Sequence, residues 1–383
     1  MIIGGGVIGS ASACFLARDH RLAVTVLERD PSYRRASSSL SASSIRQQFS
    51  TPINIALSLA GIEFLRRVGD ELEVEGERLS IGLVEAGYLY LASSAGEQPL
   101  RTNHELQRAM GAEVELLAPP ALRARWPWLA TEGLTLGAHG RRGEGWFDGP
   151  ALHTAFKRKA QACGARFVQA DVVDFDATGD RVHAVLDAHG QAHAAQAVLL
   201  AAGAWSARLA ARLGLALPVH AEKRDVFVLD SPARLPGCPL LIDPSGVWLR
   251  PEGRGFIAGA PPRGDVADEA PLEAIDHELF DAVIWPTLAA RIPALEALRV
   301  RSAWAGYYEM NRFDHNGVAG AVPGWSNAFI ACGFSGHGMQ HAPAVGRAMA
   351  ERIANGRYTS LDLAPLAAER LQRGEPLIER NII

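Results

Sequence analysis

The chain has 383 residues, 48% of them hydrophobic and 21% charged, with a formal net charge of −4. That length supports two sizeable domains, and the slightly acidic balance excludes the basic stripe a nucleic-acid or anionic-membrane partner would need. No apolar run reaches the roughly 18 residues of a membrane span. The four cysteines, Cys14, Cys163, Cys238 and Cys332, lie too far apart for a metal-ligand spacing. They read as reduced core residues of a cytoplasmic protein, and no metal site is expected.

The chain opens MIIGGGVIGSASACFLARDHRLAVTVLERD. Ile2 and Ile3 read as the tail of a buried strand. Gly4, Gly6 and Gly9 form G-x-G-x-x-G, followed by a small, apolar helix from Ser10 and a second β-rich run that ends on Glu28. The first glycine permits the tight turn, the second lets a pyrophosphate approach the backbone, and the third lets helix and strand pack closely. The free N–H groups and the dipole of the helix start favour that anion. Glu28 lies 19 residues past Gly9, where a carboxylate binds a ribose hydroxyl and disfavours a 2′-phosphate. This argues against NADP, while NAD and FAD both fit. Only three residues precede Gly4, so the start reads as a few residues short and a frayed first strand is expected. No basic segment precedes the apolar start, so no leader peptide is expected.

Residues 31–50 form a Ser- and Arg-rich loop directly after the second strand of the nucleotide fold. Residues 54–68 are an amphipathic helix with Ile55, Leu59, Ile62 and Leu65 on one face. A strand is read at 82–92, a helix at 96–111, and a short capped helix within 116–129. Asp148 caps a helix at 151–163 that ends at Gly164. A strand at 166–175 and a hairpin from 181–186 and 191–200 follow, the last arm running into LLAAGAWS. Strands are expected at 219–229 and 246–260, a long helix at 269–288, a strand ending in aromatics at 299–308, and a strand at 327–331. The stretch CGFSGHGMQHAP is a loop that leads into a closing helix at 344–353. Blocks 1–80, 140–215 and 299–383 read as one nucleotide-binding domain of α/β type, and 81–139 with 216–298 as a second domain.

Several of these stretches together resemble one family. GGGVIG with VLERD, SASSIRQQFS, GARFVQADVVDF, LLAAGAWS and GFSGHGMQHAP are similar to the FAD-dependent D-amino-acid oxidase, glycine oxidase and sarcosine oxidase superfamily. SIRQQFS, WAGYYEMNRFDHNGVAG and GFSGHGMQHAPAVGRA look most like its FAD-dependent oxidoreductase domain-containing and sarcosine-oxidase beta-subunit-like members. The resemblance implies a Rossmann-like FAD-binding domain interleaved with a mainly antiparallel β-sheet substrate domain, a glutathione-reductase-like α/β architecture. It selects FAD over NAD. It implies that Gly4, Gly6 and Gly9, with Val7 and Ile8 adjacent, hold the pyrophosphate, and that Glu28 takes the ribose with Arg29 beside it. Ser38, Ser39, Ser43 and Ser44 match the loop passing the pyrophosphate and flavin, and Val172 the backbone contact to adenine. Ala202, Gly203 and Trp205 match a second approach to the dinucleotide. Gly333, Phe334, Ser335, Gly336, His337, Gly338 and Met339 match the loop over the flavin ring.

The resemblance further implies oxidation of a small amine or α-amino acid by hydride transfer to flavin N5, with O2 or an electron carrier as acceptor. Such chemistry needs a fixed carboxylate, usually held by a bidentate Arg, and a neutral amine. Arg46 is the first candidate for the clamp and Arg250 the second. Tyr307 or Tyr308 is placed to hydrogen-bond substrate. Gln340 stands where the sarcosine oxidases carry Lys, Ile257 where they carry the oxygen-reactive Lys, and Gly306 where they carry the flavin-linking Cys. Non-covalent FAD and a dehydrogenase or slow oxidase are therefore expected. Three alternatives stay open: a 2-hydroxy-acid or polyol-phosphate dehydrogenase, a flavin-binding assembly or scaffold protein, and a subunit that passes electrons to a partner.

Overall fold

In the computed structural model, which describes residues 1–381, two large sheets organise the chain. The first has six strands in the order Val318–Ala321, Ala328–Cys332, Val198–Leu200, Ile2–Ile3, Thr25–Glu28 and Arg166–Gln169. All neighbours are parallel except the Val318–Ala321 edge. Strand order reverses on either side of Ile2–Ile3. A crevice opens at such a switch point, at the carboxyl ends of the strands, and that is where α/β sheets bind ligands. The first strand is short but not frayed. Both of its residues pair on both sides, and the Met1 amine donates to Ala197 O at 2.8 Å.

Helices Val7–Arg18, Gly149–Ala162 and Gly338–Asn355 pack on one face of this sheet. The first is buried from Val7 to Ala17, which explains its small side chains. A Cβ at Gly346 would lie 2.6 Å from the Ala11 Cβ, so the two helices touch almost backbone to backbone. The opposite face is covered by the antiparallel sheet Val172–Thr178, Arg181–Asp187 and Ala192–Ala194, and by helix Ser206–Arg212.

The second sheet has eight strands in the order Arg299–Asn311, Val219–Asp230, Gly255–Gly259, Trp248–Glu252, Leu240–Ile242, Tyr88–Ala92, Leu136–Gly140 and Val114–Leu117. Only the Leu240–Ile242 and Tyr88–Ala92 pair is parallel, so the sheet is mainly antiparallel. One of its faces is packed by the core around Leu122, Trp126, Phe280 and Leu288. The other turns toward the six-stranded sheet.

Four further expectations need correction. Strand Arg299–Asn311, read as part of the nucleotide block, pairs along its length with Val219–Asp230 of the eight-stranded sheet. The stretch 246–260 is a hairpin reversed at Gly253, whose φ is +57°. The helix expected at 269–288 begins at His277, because Asp276 caps it by accepting from Leu279 N–H. It then passes through a π-helical turn, Phe280–Ile284, and ends at Arg291. The closing helix begins at Gly338 rather than after Pro343. A proline reads as a stop, yet here it sits in the second turn. No helix among the described residues is long and apolar enough to cross a membrane.

Candidate active site

A cavity of about 980 Å³ runs from the switch-point crevice to the inner face of the eight-stranded sheet. At the crevice end the chain turns through Gly4, whose φ is +96°. A Cβ there would sit 2.4 Å from Ala201 O, so the two strand–helix turns meet. A Cβ at Gly9 would sit 2.0 Å from Gly4 O, which is the close packing read for the third glycine. Gly6 and Ile8 line the cavity at the start of helix Val7–Arg18, where the dipole is positive. Ser38 Oγ accepts the Val7 N–H at 2.9 Å. The Glu28 carboxylate accepts Gly5 N–H at 2.8 Å and Asp30 N–H at 2.9 Å, and it borders the cavity.

Across the crevice, Val172, Ala202, Gly203 and Trp205 line the wall. The Arg29 guanidinium stacks on the Trp205 ring at 4.1 Å. The indole N–H of Trp205 and the Tyr33 hydroxyl are buried with no partner among the described residues. Ser43 and Ser44 line the cavity, whereas Ser39 sits behind it in helix Ser37–Leu40.

The closing loop divides in the same way. Gly336, Gly338 and Met339 reach the cavity; Gly333, Phe334, Ser335 and His337 support them from behind. Gly338 and Met339 belong to the first helical turn rather than the loop. Gly336 has a φ of +89°, and a Cβ there would strike the Tyr308 ring at 2.4 Å.

The four residues expected to act on substrate are placed otherwise. Arg46 is 2% exposed and does not line the cavity. Its guanidinium donates to Gln48 O and Asn381 O, lies 3.2 Å from His337 Nε2, and covers the Phe49 ring at 3.9 Å. Arg250 donates to Pro251 O at 3.0 Å and to Ala42 O at 2.9 Å, and pairs with Glu252. Gln340 Oε1 accepts the backbone N–H of Arg46 at 2.8 Å. The Tyr307 ring borders the cavity, but its hydroxyl donates to Ala270 O at 2.8 Å and accepts from Arg35. Most of these polar groups thus already have protein partners, while Arg250 Nε is buried with none among the described residues. Ile257 is a buried strand residue that does not reach the cavity.

Other residues take the places beside the cavity. Tyr308, Arg224, Trp248 and Glu309 all line it. Side chains alternate along a strand, so Tyr308 and Tyr307 point to opposite faces. The Trp248 ring lies flat on Gly259, where a Cβ would approach it to 2.8 Å. Glu309 Oε2 accepts Gly333 N–H at 3.0 Å. Burial pushes its carboxyl up to about 7, against the pull of that donor and of Phe334 N–H. Trp248 belongs to no recognisable motif, and Glu309, although within WAGYYEMNRFDHNGVAG, is not singled out by it; the fold brings both to the cavity.

A family model described as FAD dependent oxidoreductase matches residues 1–352. The chain is 42% identical to FAD-dependent oxidoreductase domain-containing protein 1 of Xenopus laevis, over 100% of this chain and 84% of that one. It is 30% identical to glycine oxidase of Geobacillus kaustophilus, over 96% of each. Among solved structures, L-proline dehydrogenase from P. horikoshii superposes with a TM-score of 0.83 at 26% identity, over 98% of each chain. The family match begins just before the first strand and ends in the closing helix, so it takes in every wall of the cavity, and the chain belongs to the family of FAD-dependent oxidoreductases.

Proposed function

We propose that the protein oxidises a small amine or α-amino acid in this cavity, with FAD held non-covalently. The observation that carries the reading is the cavity's continuity, from the glycine turn to a sheet face bearing Tyr308 and Trp248. The relatives' names agree with it, since glycine oxidase, sarcosine oxidase subunit beta and L-proline dehydrogenase are each named for an amino acid.

The residues fit the cofactor. Gly6 opens a cradle at a helix N-terminus that a Cβ would narrow to 3.3 Å from Ser38 Oγ, and Trp205 offers an N–H unpaired among the described residues. In this reading the turn from Gly4 to Gly9 and Ser38 hold the pyrophosphate, Glu28 the ribose, and Val172, Gly203 and Trp205 the adenosine side. FAD supplies a hydride acceptor at its N5 position. A covalent link through residue 306 is disfavoured, because a Cβ there would meet the Leu40 Cβ at 2.9 Å.

The chain's own groups prepare the substrate. Trp248, Val226, Ala260 and Met339 surround the inner end and exclude water. An amine in such a pocket loses its proton more easily, which frees the lone pair that must assist hydride departure. Below about pH 7 Glu309 keeps its proton, so it adds no negative charge beside the closing loop.

The test is anaerobic. Purified protein is mixed with amino acids, N-methyl amino acids, simple amines and 2-hydroxy acids, and the oxidised-flavin band near 450 nm is followed. Bleaching by an amine or amino acid is expected, with slow recovery in air. Bleaching by 2-hydroxy acids alone, or by nothing, would overturn the reading and leave a hydroxy-acid dehydrogenase or a flavin-binding scaffold.

A further inference from the structure

Glu309 is a carboxyl on the cavity wall that pairs with no cation among the described residues. It is half-buried on strand Arg299–Asn311, opposite Ala221. Its carboxyl fills a space left by three glycines. Gly333 N–H donates to Oε2 at 3.0 Å, a Cβ at Gly203 would lie 3.6 Å from Oε2, and a Cβ at Gly338 would lie 3.1 Å from Oε1. The turn after the LLAA strand, the closing loop and the first turn of the closing helix thus converge on one side chain. The groups that face it bring no free charge. The Cys332 thiol, at the end of strand Ala328–Cys332, is pushed well above the usual thiol range by burial and then by Glu309 itself. His337 of the loop turns to Arg46, and His341 of the closing helix to Ser58. On strand Val219–Asp230 the side chains that flank Ala221 are engaged elsewhere, His220 with Asp268 and Glu222 with Arg224. Arg208, beyond the Gly203 turn, pairs with Glu269.

A hydride moved onto a cofactor in this cavity carries two electrons and one proton, and adds one negative charge to what the cavity holds. The closing helix points its positive end at the cavity through Gly338 and Met339. Glu309 lies against that same end, so an ionised Glu309 and the new charge compete for one dipole. A like charge nearby holds a carboxyl in its protonated form, and burial already pushes Glu309 up to about 7 against its two N–H donors. We infer that Glu309 takes one proton from solvent when the flavin is reduced and returns it on reoxidation, so that the charge of the cavity does not change. Two electrons then enter with two protons, the hydride's own and the one bound by Glu309. The inference deepens the reading above: it rests on FAD lying in this cavity and is indifferent to which substrate supplies the hydride.

The test is potentiometric and needs no substrate. The FAD-loaded protein is reduced stepwise beside a reference dye, and the flavin midpoint potential is followed as pH rises above neutrality. Each proton bound per two electrons makes the reduction constant fall about tenfold per pH unit, or about 30 mV. Between about pH 7.5 and about 9 the wild type should fall about 100-fold per unit, or about 59 mV. Glu309→Gln, which keeps an acceptor for Gly333 N–H, should fall only about tenfold per unit. A wild-type slope of about tenfold overturns the inference without any variant. So does a slope that Glu309→Gln leaves at about 100-fold, which would put the second proton on the flavin. Should the variant lose its flavin, the wild type still decides. The near-ultraviolet spectrum of the reduced flavin tells an anionic ring from a neutral one. An anionic ring together with the steeper slope supports the inference, and a neutral ring overturns it. If the slopes differ as stated and no amine bleaches the flavin, the inference stands and amine oxidation falls. If amines bleach it and the wild type takes up one proton, the reverse holds.

Discussion

Replacing Glu144 by Gln removes a proton-binding step that couples stability to pH. Glu144 is fully enclosed. Its Oε1 accepts the backbone N–H groups of Gln47 and Gln48, at 2.5 and 3.1 Å, and its Oε2 accepts Gln48 Nε2 at 2.8 Å. Burial still pushes the carboxyl up from 4.5 to about 7, against those donors and Arg46. Between those two values the folded chain holds a proton that the unfolded chain has lost. Stability from this group is therefore full below about pH 4.5 and is lost as pH rises to 7. At about 1.4 kcal/mol per unit, the loss amounts to about 3 kcal/mol. Glu144→Gln keeps the acceptor for both backbone N–H groups. Its new N–H can serve Gln48 Oε1, which has no partner among the described residues, once the Gln48 amide turns over. The variant should gain on the wild type by about 3 kcal/mol from pH 4.5 to 7.5, or about 4 °C in midpoint for a chain of this length. The buried His337 and His341, held below the usual imidazole range by burial, act with the opposite sign, but they are common to both proteins and cancel. Thermal scans of both holoproteins at three pH values give the difference directly. A difference that does not change with pH would refute the assignment.

Gly9→Ala places a methyl group 2.0 Å from Gly4 O, so helix and turn must separate. Overpacking of about 1–3 kcal/mol outweighs the helix-propensity gain of about 1 kcal/mol, and equilibrium dialysis should show FAD affinity reduced at least about tenfold. Arg46→Ala leaves Asn381 O without its donor and Gln48 O with only Asn381 Nδ2. It should cost about 3 kcal/mol of stability in denaturant titration while leaving the Kd for acetate, read from the flavin spectrum, within about twofold; a large loss of acetate binding would make Arg46 the carboxylate clamp. Gly306→Cys, pressed against Leu40, should still release its flavin on acid precipitation, and a flavin that stays bound after acid would contradict the packing.

The legibility of this chain follows the distance over which each feature is decided. The nucleotide turn was readable because its determinants are local: Gly4 and Gly9 meet each other, and Glu28 reaches back to Gly5 N–H across 23 residues. The surroundings of Arg46 are less local. Besides Gln48 O, its guanidinium donates to Asn381 O, 335 residues further on, and nothing in the Ser-rich loop announces it. The closing helix was started too late because a proline in its second turn outweighed the glycines before it.

The eight-stranded sheet shows the sharper limit. On strand Arg299–Asn311 the choice between Tyr307 and Tyr308 is a choice between two faces, and a strand pattern alone is symmetric to it. What breaks the symmetry is register. Arg224 pairs with Gly306 and Glu222 with Tyr308, which puts Arg224 and Tyr308 on one face of the sheet, both lining the cavity, while the Tyr307 hydroxyl turns to Ala270 O. A slip of one residue would exchange the two faces of the strand. The register is held by contacts that sequence spacing does not display, among them Gly306 against Leu40 and Gly336 against the Tyr308 ring. Each of these glycines is needed because another segment's side chain occupies the space its Cβ would fill. The residues that line the cavity wall are thus read from which glycines are crowded in the fold, and from what crowds them.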